Sequence, residues 1–220
     1  MNDHTELEGM HYEGNCIRPP SEAYSILLQV TVGCSHNKCT FCGTYKDKRF
    51  RIKDDETIYN DIRFAAKYMK RQDRVFLMDG DALIIPQKRL MWILDQIRTH
   101  LPWVRRVGAY ANAKGIKMKT PEELKALREN GLGILYMGVE TGDEDLLKKI
   151  RKGASPQHLI RMGRKVREAG IKLSGQVHGG GQTLLGRPAE IRRTDDGVNG
   201  QHGFNSFFIL ALYFFRLLIN

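Results

Sequence analysis

The stretch Ser25-Ile-Leu-Leu-Gln-Val-Thr-Val-Gly-Cys34-Ser-His-Asn-Lys-Cys39-Thr-Phe-Cys42-Gly-Thr-Tyr45 carries the deciding pattern of the chain. Its first part, Ile26–Val32, is a short aliphatic and β-branched run that reads as a strand, and three cysteines follow within nine residues. The thiols of Cys34, Cys39 and Cys42 therefore leave the C-terminal end of one strand in one loop. Three thiolates on a flexible loop can hold three irons of a cubane cluster. The fourth iron then keeps an open coordination position, where a small chelating molecule can bind and receive an electron. The same residues also permit a Cys3His zinc knot completed by His36, because tetrahedral zinc demands four ligands. Cys16 lies upstream beside Arg18-Pro19-Pro20 and reads as an ordinary thiol, since a fourth cysteine ligand would block the open position.

Working outward, residues 25–177 alternate short apolar runs with amphipathic stretches, the pattern of repeated β-α units around a parallel sheet. Five strands are predicted: Ile26–Val32, Arg74–Met78, Val104–Tyr110, Gly133–Val139 and Ile171–Val177, each separated by enough chain for a crossover helix. Ile58, Ile62, Ala65 and Met69 share one helix face after Asp54-Asp55, and Leu90, Ile93, Leu94, Ile97 and Leu101 share another after Pro86. Thr120-Pro121-Glu122-Glu123 supplies an N-cap, a proline at the first helical position and a glutamate three residues on, with Gly131 as the stop. Ser155-Pro156 opens a further helix with Leu159, Met162, Val166 and Ala169 on one face, closed by Gly170. Asp143 and Glu144 are expected in the first turn of a helix, where its dipole favours them.

With 220 residues, 41% hydrophobic and 27% charged, the chain can bury a real core and is not a disordered protein. Four cysteines, three of them clustered, are the wrong number and distribution for a disulfide-braced secreted fold. The polar, acidic start lacks the apolar core of a secretory signal, and a cytoplasmic location is expected. Of the net charge of +10, +9 falls within residues 1–172, but the charges are scattered and no basic stripe interleaves with aromatics. Charge alone chooses no function. The basic run Lys46–Lys53 beyond the cysteines reads as a solvated connection, or as a feature steering an anion toward the loop.

The ending Cys39-Thr40-Phe41-Cys42 resembles the radical S-adenosylmethionine (radical SAM) superfamily, in which a cysteine triad ending in Cys-x-aromatic-Cys follows the first strand of a partial β/α barrel. The similarity runs over roughly Ser25 to Val177 and includes the flanking Gly33, Gly43 and Tyr45. One departure is that Cys34 and Cys39 enclose four residues where the commonest spacing has three.

The resemblance implies an α/β fold class with a partial (β/α) barrel and two cofactors, a [4Fe-4S] cluster on Cys34, Cys39 and Cys42 and S-adenosylmethionine. Phe41 would shield the cluster and offer its backbone to the adenine. Met78-Asp79-Gly80-Asp81 stands where the family has Gly-Gly-Glu, with Asp79 in the place of the first glycine, and implies Asp81 as acceptor for the methionine ammonium. Glu140 occupies the position after Gly-x that contacts the ribose or methionine part. Asn112, at the end of the third strand, would bond a ribose hydroxyl or shape the turn.

Reductive cleavage would yield methionine and a 5′-deoxyadenosyl radical that takes a hydrogen atom from a substrate. An external one-electron reductant of flavodoxin or ferredoxin type is implied. The substrate is open among RNA, protein and small metabolites, no membrane is expected, and no residue is assigned to the hydrogen-abstraction step itself. A metal-binding module without catalysis and an inactive remnant of an enzyme are the alternatives.

The chain is thus divided into an N-terminal extension, residues 1–24, a core, residues 25–177, and an atypical tail, residues 178–220. After Lys172 the composition breaks, with no lysine and eight glycines in the remaining 48 residues, and Gly175–Gly203 shows no sustained period. The apolar run Phe207–Phe215 reads as a buried last element, a membrane-touching end, or a chain end foreign to the fold, and is marginal in length for a bilayer span. An altered or incomplete C-terminal part is expected. His178 and Gly179-Gly180-Gly181 match the family's pattern poorly.

Overall fold

A computed structural model of the protein describes residues 9–176. Five parallel strands form one sheet in the spatial order of their sequence: β1 (Ile26–Gln29), β4 (Arg74–Met78), β5 (Arg106–Ala111), β6 (Leu132–Gly138) and β7 (Lys172–Gln176). Sequential neighbours joined by helical crossovers are the arrangement of an incomplete β/α barrel. A short antiparallel pair, β2 (Thr31–Val32) with β3 (Arg51–Ile52), lies beside it. The helices are α1 (Asp55–Tyr68), α2 (Gln87–His100), α3 (Ala113–Met118), α4 (Pro121–Glu129), α5 (Glu144–Lys149) and α6 (Pro156–Glu168).

The period of two along each strand divides the core in two. Val75 and Leu77 of β4 join Ile26, Leu28, Val107, Ala109, Leu135 and Met137 in the large cluster that includes the buried helix residues Ile58, Ile62, Leu90, Ile93, Leu124, Leu159 and Val166. The alternate residues Phe76 and Met78 join Tyr136 in a smaller cluster on the other face, with Leu27, Tyr110, Ile134 and Cys16 packed against it. Phe76, Tyr110 and Tyr136 meet edge to face, with ring centroids 5.0 to 6.3 Å apart. The face of the sheet opposite the helix-packed one is therefore aromatic.

Local sequence accounts for the helix ends. Thr120 and Glu123 complete the reciprocal capping box, and Asp54, Asp143 and Ser155 each accept a backbone N–H of the first turn. The predicted first strand is interrupted. β1 stops at Gln29; Val30 still donates its N–H to the Met78 carbonyl at 2.8 Å, but its own carbonyl receives the Lys53 N–H at 3.1 Å, and Thr31–Val32 pairs with Arg51–Ile52 instead of extending the sheet. The third strand begins at Arg106, because Val104 still closes the turn after α2 by donating to Leu101. Val177, the glycine-rich stretch and the run Phe207–Phe215 lie outside the described residues. Among the described residues, no helix is long and apolar enough to cross a membrane.

The N-terminal segment folds across the sheet. Tyr12 donates its hydroxyl to the Leu27 carbonyl at 2.8 Å, the Glu13 N–H donates to Gln29 Oε1 at 2.8 Å, and Gln29 Nε2 donates back to the Glu13 carbonyl at 3.2 Å. Part of the basic run holds this segment in place, and of these residues Lys53 is not solvated. Lys53 is buried, donates to the His11 carbonyl and faces Asp61 at 3.7 Å, while Arg51 pairs with Glu13.

Candidate active site

The β2–β3 pair closes the base of the loop formed by residues 33–50, which carries all three clustered cysteines. Gly33 takes φ +79, a conformation suited to glycine, where the chain turns out of β2. Its N–H donates to Asp79 Oδ2 at 3.0 Å and its carbonyl accepts the Gly80 N–H at 3.1 Å, so the exits of β2 and β4 are stitched together. Inside the loop, Asn37 Nδ2 donates to the Tyr45 carbonyl at 2.6 Å. The far side of the loop docks on the turn after α5: the Thr40 N–H donates to the Ile150 carbonyl at 3.0 Å, and His36 Nε2 lies 2.7 Å from the Arg151 carbonyl.

Cys34, Cys39 and Cys42 line one cavity of about 250 Å³ at the C-terminal ends of the strands, together with Phe41, Tyr45, Gly80, Tyr110, Asn112, Tyr136, Glu140 and Lys152. None of the cysteines is in a disulfide. Burial pushes the Cys34 thiol up, against the backbone N–H groups of Asn37 and His36, which favour its thiolate. Burial likewise raises Cys39, against the attraction of Lys152. Backbone N–H groups aimed at a sulfur in a sheltered loop suit a thiolate that binds iron. Gly80 leaves the room this needs, since a Cβ there would stand 2.7 Å from the Cys34 Cβ. The three thiols share this cavity, and no fourth cysteine lines it.

The zinc reading fits less well. His36 turns its ring to the Arg151 carbonyl, away from a fourth ligand position; among the described residues no three His, Cys, Asp or Glu side chains, the three cysteines included, converge into a closed metal-binding set.

Of the other residues singled out from the sequence, Phe41 and Glu140 reach the cavity. Glu140 takes φ 64, and its carboxylate meets Lys152 Nζ at 2.8 Å. Asn112 also lines the cavity, but its amide shapes the turn: Oδ1 accepts the Gly115 N–H at 2.8 Å as the cap of α3, and Nδ2 donates to Ser35 Oγ at 2.8 Å. Asp81 is not brought there. It is fully buried, with Oδ2 accepting from Ser35 Oγ at 2.7 Å and Oδ1 from the Asn112 N–H at 3.2 Å. Through these contacts Asp81 braces the cysteine loop from behind the cavity wall. Asp79 is fully buried as well, held by the Gly33 N–H and by Gln29 Nε2 at 3.3 Å.

Two groups of site residues carried no signal in the sequence. Ile17, Arg18, Pro19 and Pro20 form one wall of the cavity. They are anchored by Glu22, fully buried, which accepts from Ser25, Tyr136 and Arg106, and by Ser21 Oγ, 2.9 Å from the Tyr136 hydroxyl. Lys152, in the turn after α5, closes another side. Tyr110 and Tyr136 also line the cavity, and the period of two along their strands is the signal that could have found them.

The fold and the matched family agree. Residues 28–185 match the family model described as the Radical SAM superfamily. Among solved structures, the cobalamin-dependent S-adenosylmethionine radical enzyme OxsB with aqua-cobalamin bound shares 22% identity over 68% of this chain and 23% of its own, with a TM-score of 0.55. Methylornithine synthase (PylB) shares 18% identity over 69% of this chain and 43% of its own, with a TM-score of 0.53. The radical S-adenosylmethionine methyltransferase TsrM from Kitasatospora setae, with tryptophan substrate and a SAM analog bound, shares 17% identity over 69% of this chain and 30% of its own, with a TM-score of 0.54. This chain therefore spans less than half the length of each, and these likenesses show the fold. No curated protein matches it. With a parallel, sequentially ordered sheet, a three-cysteine loop at its C-terminal edge and a family match over most of its length, the chain belongs to the radical SAM superfamily.

Proposed function

We propose that this chain is the core of a radical SAM enzyme that holds a [4Fe-4S] cluster on Cys34, Cys39 and Cys42 and binds S-adenosylmethionine in the adjoining cavity. The observation that carries the reading is the convergence of all three thiols with Phe41 and Glu140 on one cavity at the strand ends. When bound, the cluster and S-adenosylmethionine together supply one-electron cleavage to a 5′-deoxyadenosyl radical that abstracts hydrogen from a substrate.

The protein's own residues do the rest. Phe41 covers the cysteines on the cavity side, and Tyr110 and Tyr136 present an aromatic wall that keeps water from the reacting space. Glu140 offers a carboxylate to the polar end of the bound cofactor, with Lys152 orienting it. Asp81, through Ser35 and Asn112, keeps the loop carrying Cys34 against the end of β4. A flavodoxin or ferredoxin type of reductant in a reducing, cytoplasmic setting is the proposed electron source. The substrate class is open between RNA, protein and small metabolites, since the relatives' substrates do not transfer at these identities.

The test is S-adenosylmethionine binding to the anaerobically reconstituted protein, followed by equilibrium dialysis and by electron paramagnetic resonance of the reduced sample. Binding with a changed spectrum, weakened at least tenfold in Glu140→Ala, is expected. Binding absent in a protein that holds its iron would overturn the assignment of the cavity.

A further inference from the structure

Glu140 lies in the left-handed region at φ 64, where a residue bearing a Cβ is strained. Its side chain is 8% exposed, that of Lys152 is 14% exposed, and the two meet at 2.8 Å. An ion pair this sheltered is costly to desolvate, so the fold holds it at an expense that packing alone does not require. Both ends press on Gly138: a Cβ there would come within 2.6 Å of Glu140 Oε1 and 2.7 Å of Lys152 Nζ. The tips of the pair thus lie directly over Gly138 at the end of β6.

Lys152 is placed by the same turn that receives the cysteine loop. Ile150 accepts the Thr40 N–H, Arg151 accepts His36, and a Cβ on Gly153 would stand 2.6 Å from the His36 ring. Thr40 is the residue after Cys39. The lysine and that cysteine are accordingly fixed to each other through a short, doubly bonded junction, and both line the cavity.

We propose that Lys152 is a positioning residue for the cysteine-held centre: it fixes Glu140 at the cavity wall and supplies the positive charge beside Cys39 that stabilises the centre in its electron-loaded form. This rests on the cluster reading given above. An electron arriving from the external one-electron reductant makes the centre one unit more negative and makes or breaks no bond. A cation held in a sheltered position favours that form, and a carboxylate at the same place opposes it.

The experiment is a redox titration of the anaerobically reconstituted protein and of Lys152→Met, Lys152→Arg, Glu140→Gln and the Lys152→Met/Glu140→Gln double variant, with iron content and thermal melting measured on each. A midpoint potential shifted negative in Lys152→Met, kept in Lys152→Arg, shifted positive in Glu140→Gln and returned close to the parent in the double variant is expected. Unchanged potentials in Lys152→Met and Glu140→Gln proteins that hold parental iron would overturn the proposal and leave the cluster reading intact. If Lys152→Met loses iron or folds poorly, Glu140→Gln decides: a positive shift supports the proposal and no shift overturns it. A parent that takes up no cluster overturns the cluster reading itself, and the proposal with it.

Discussion

The Gly80 N–H donates to the Gly33 carbonyl at 3.1 Å, which joins the end of the second sheet strand to the residue just before the first cysteine. The contact is possible because Gly80 has no Cβ. A Cβ on Gly80 would meet the Cys34 Cβ at 2.7 Å, the Cys34 Cα at 3.0 Å and the Gly33 carbonyl oxygen at 3.1 Å, all of them attached to the backbone and unable to swing aside.

Gly80→Ala is therefore expected to force the cysteine loop away from β4. The cost in stability should be about 1–3 kcal/mol by chemical denaturation, as for other overpacked sites. Iron uptake should fall more than the loss of stability explains, because Cys34 itself is displaced. Parental iron uptake in a protein destabilised by that amount would separate the loop's position from the stitch.

Glu22 gives a second expectation. Its fully buried carboxylate collects Ser25, Tyr136 and Arg106 and thereby anchors the Ile17–Pro20 wall of the cavity. Glu22→Ala leaves the partly buried Arg106 guanidinium without its carboxylate and the Tyr136 hydroxyl with Ser21 in place of Glu22, and a loss of about 3 kcal/mol is expected in a denaturant titration. Limited proteolysis should then cut near Ile17–Ser21 faster than in the parent. Unchanged cleavage would show that the wall is held by other contacts.

Asp81 predicts a pH dependence. Burial pushes its carboxyl up to about 6, against the Ser35 hydroxyl and the Asn112 N–H, which favour the charged form. The folded state therefore binds this proton more tightly than the unfolded chain does. The stability it contributes is fully present below about pH 4, the ordinary aspartate range, and is lost as pH rises through about 6. Asp81→Asn keeps an acceptor for Asn112 and can donate to Ser35, so its melting temperature relative to the parent should climb between about pH 4 and 7. A difference that stays flat over that range would contradict the assignment.

The strands of the sheet were legible because their apolar runs are bounded by turns. The helix starts at Thr120 and Ser155 were legible because side-chain caps leave a local mark. The break after Gln29 was not, since Val30, Thr31 and Val32 are as suited to a strand as the residues before them, and only the long-range partner Arg51–Ile52 diverts them. The cysteines could be read from spacing, because one loop carries all three. Asp81 had the right chemistry at the right strand end, but its direction depends on Ser35 and Asn112, from two other elements. Lys152 and the Ile17–Pro20 wall had no signal, being single residues and an irregular segment placed by tertiary contacts alone.

The most direct measurement is anaerobic reconstitution with iron and sulfide, followed by metal analysis and visible absorbance before and after dithionite, on the parent and on Cys39→Ala. The account predicts about four irons per chain and a brown chromophore that dithionite bleaches, both largely lost in Cys39→Ala. One tightly held zinc per chain with no chromophore would contradict it.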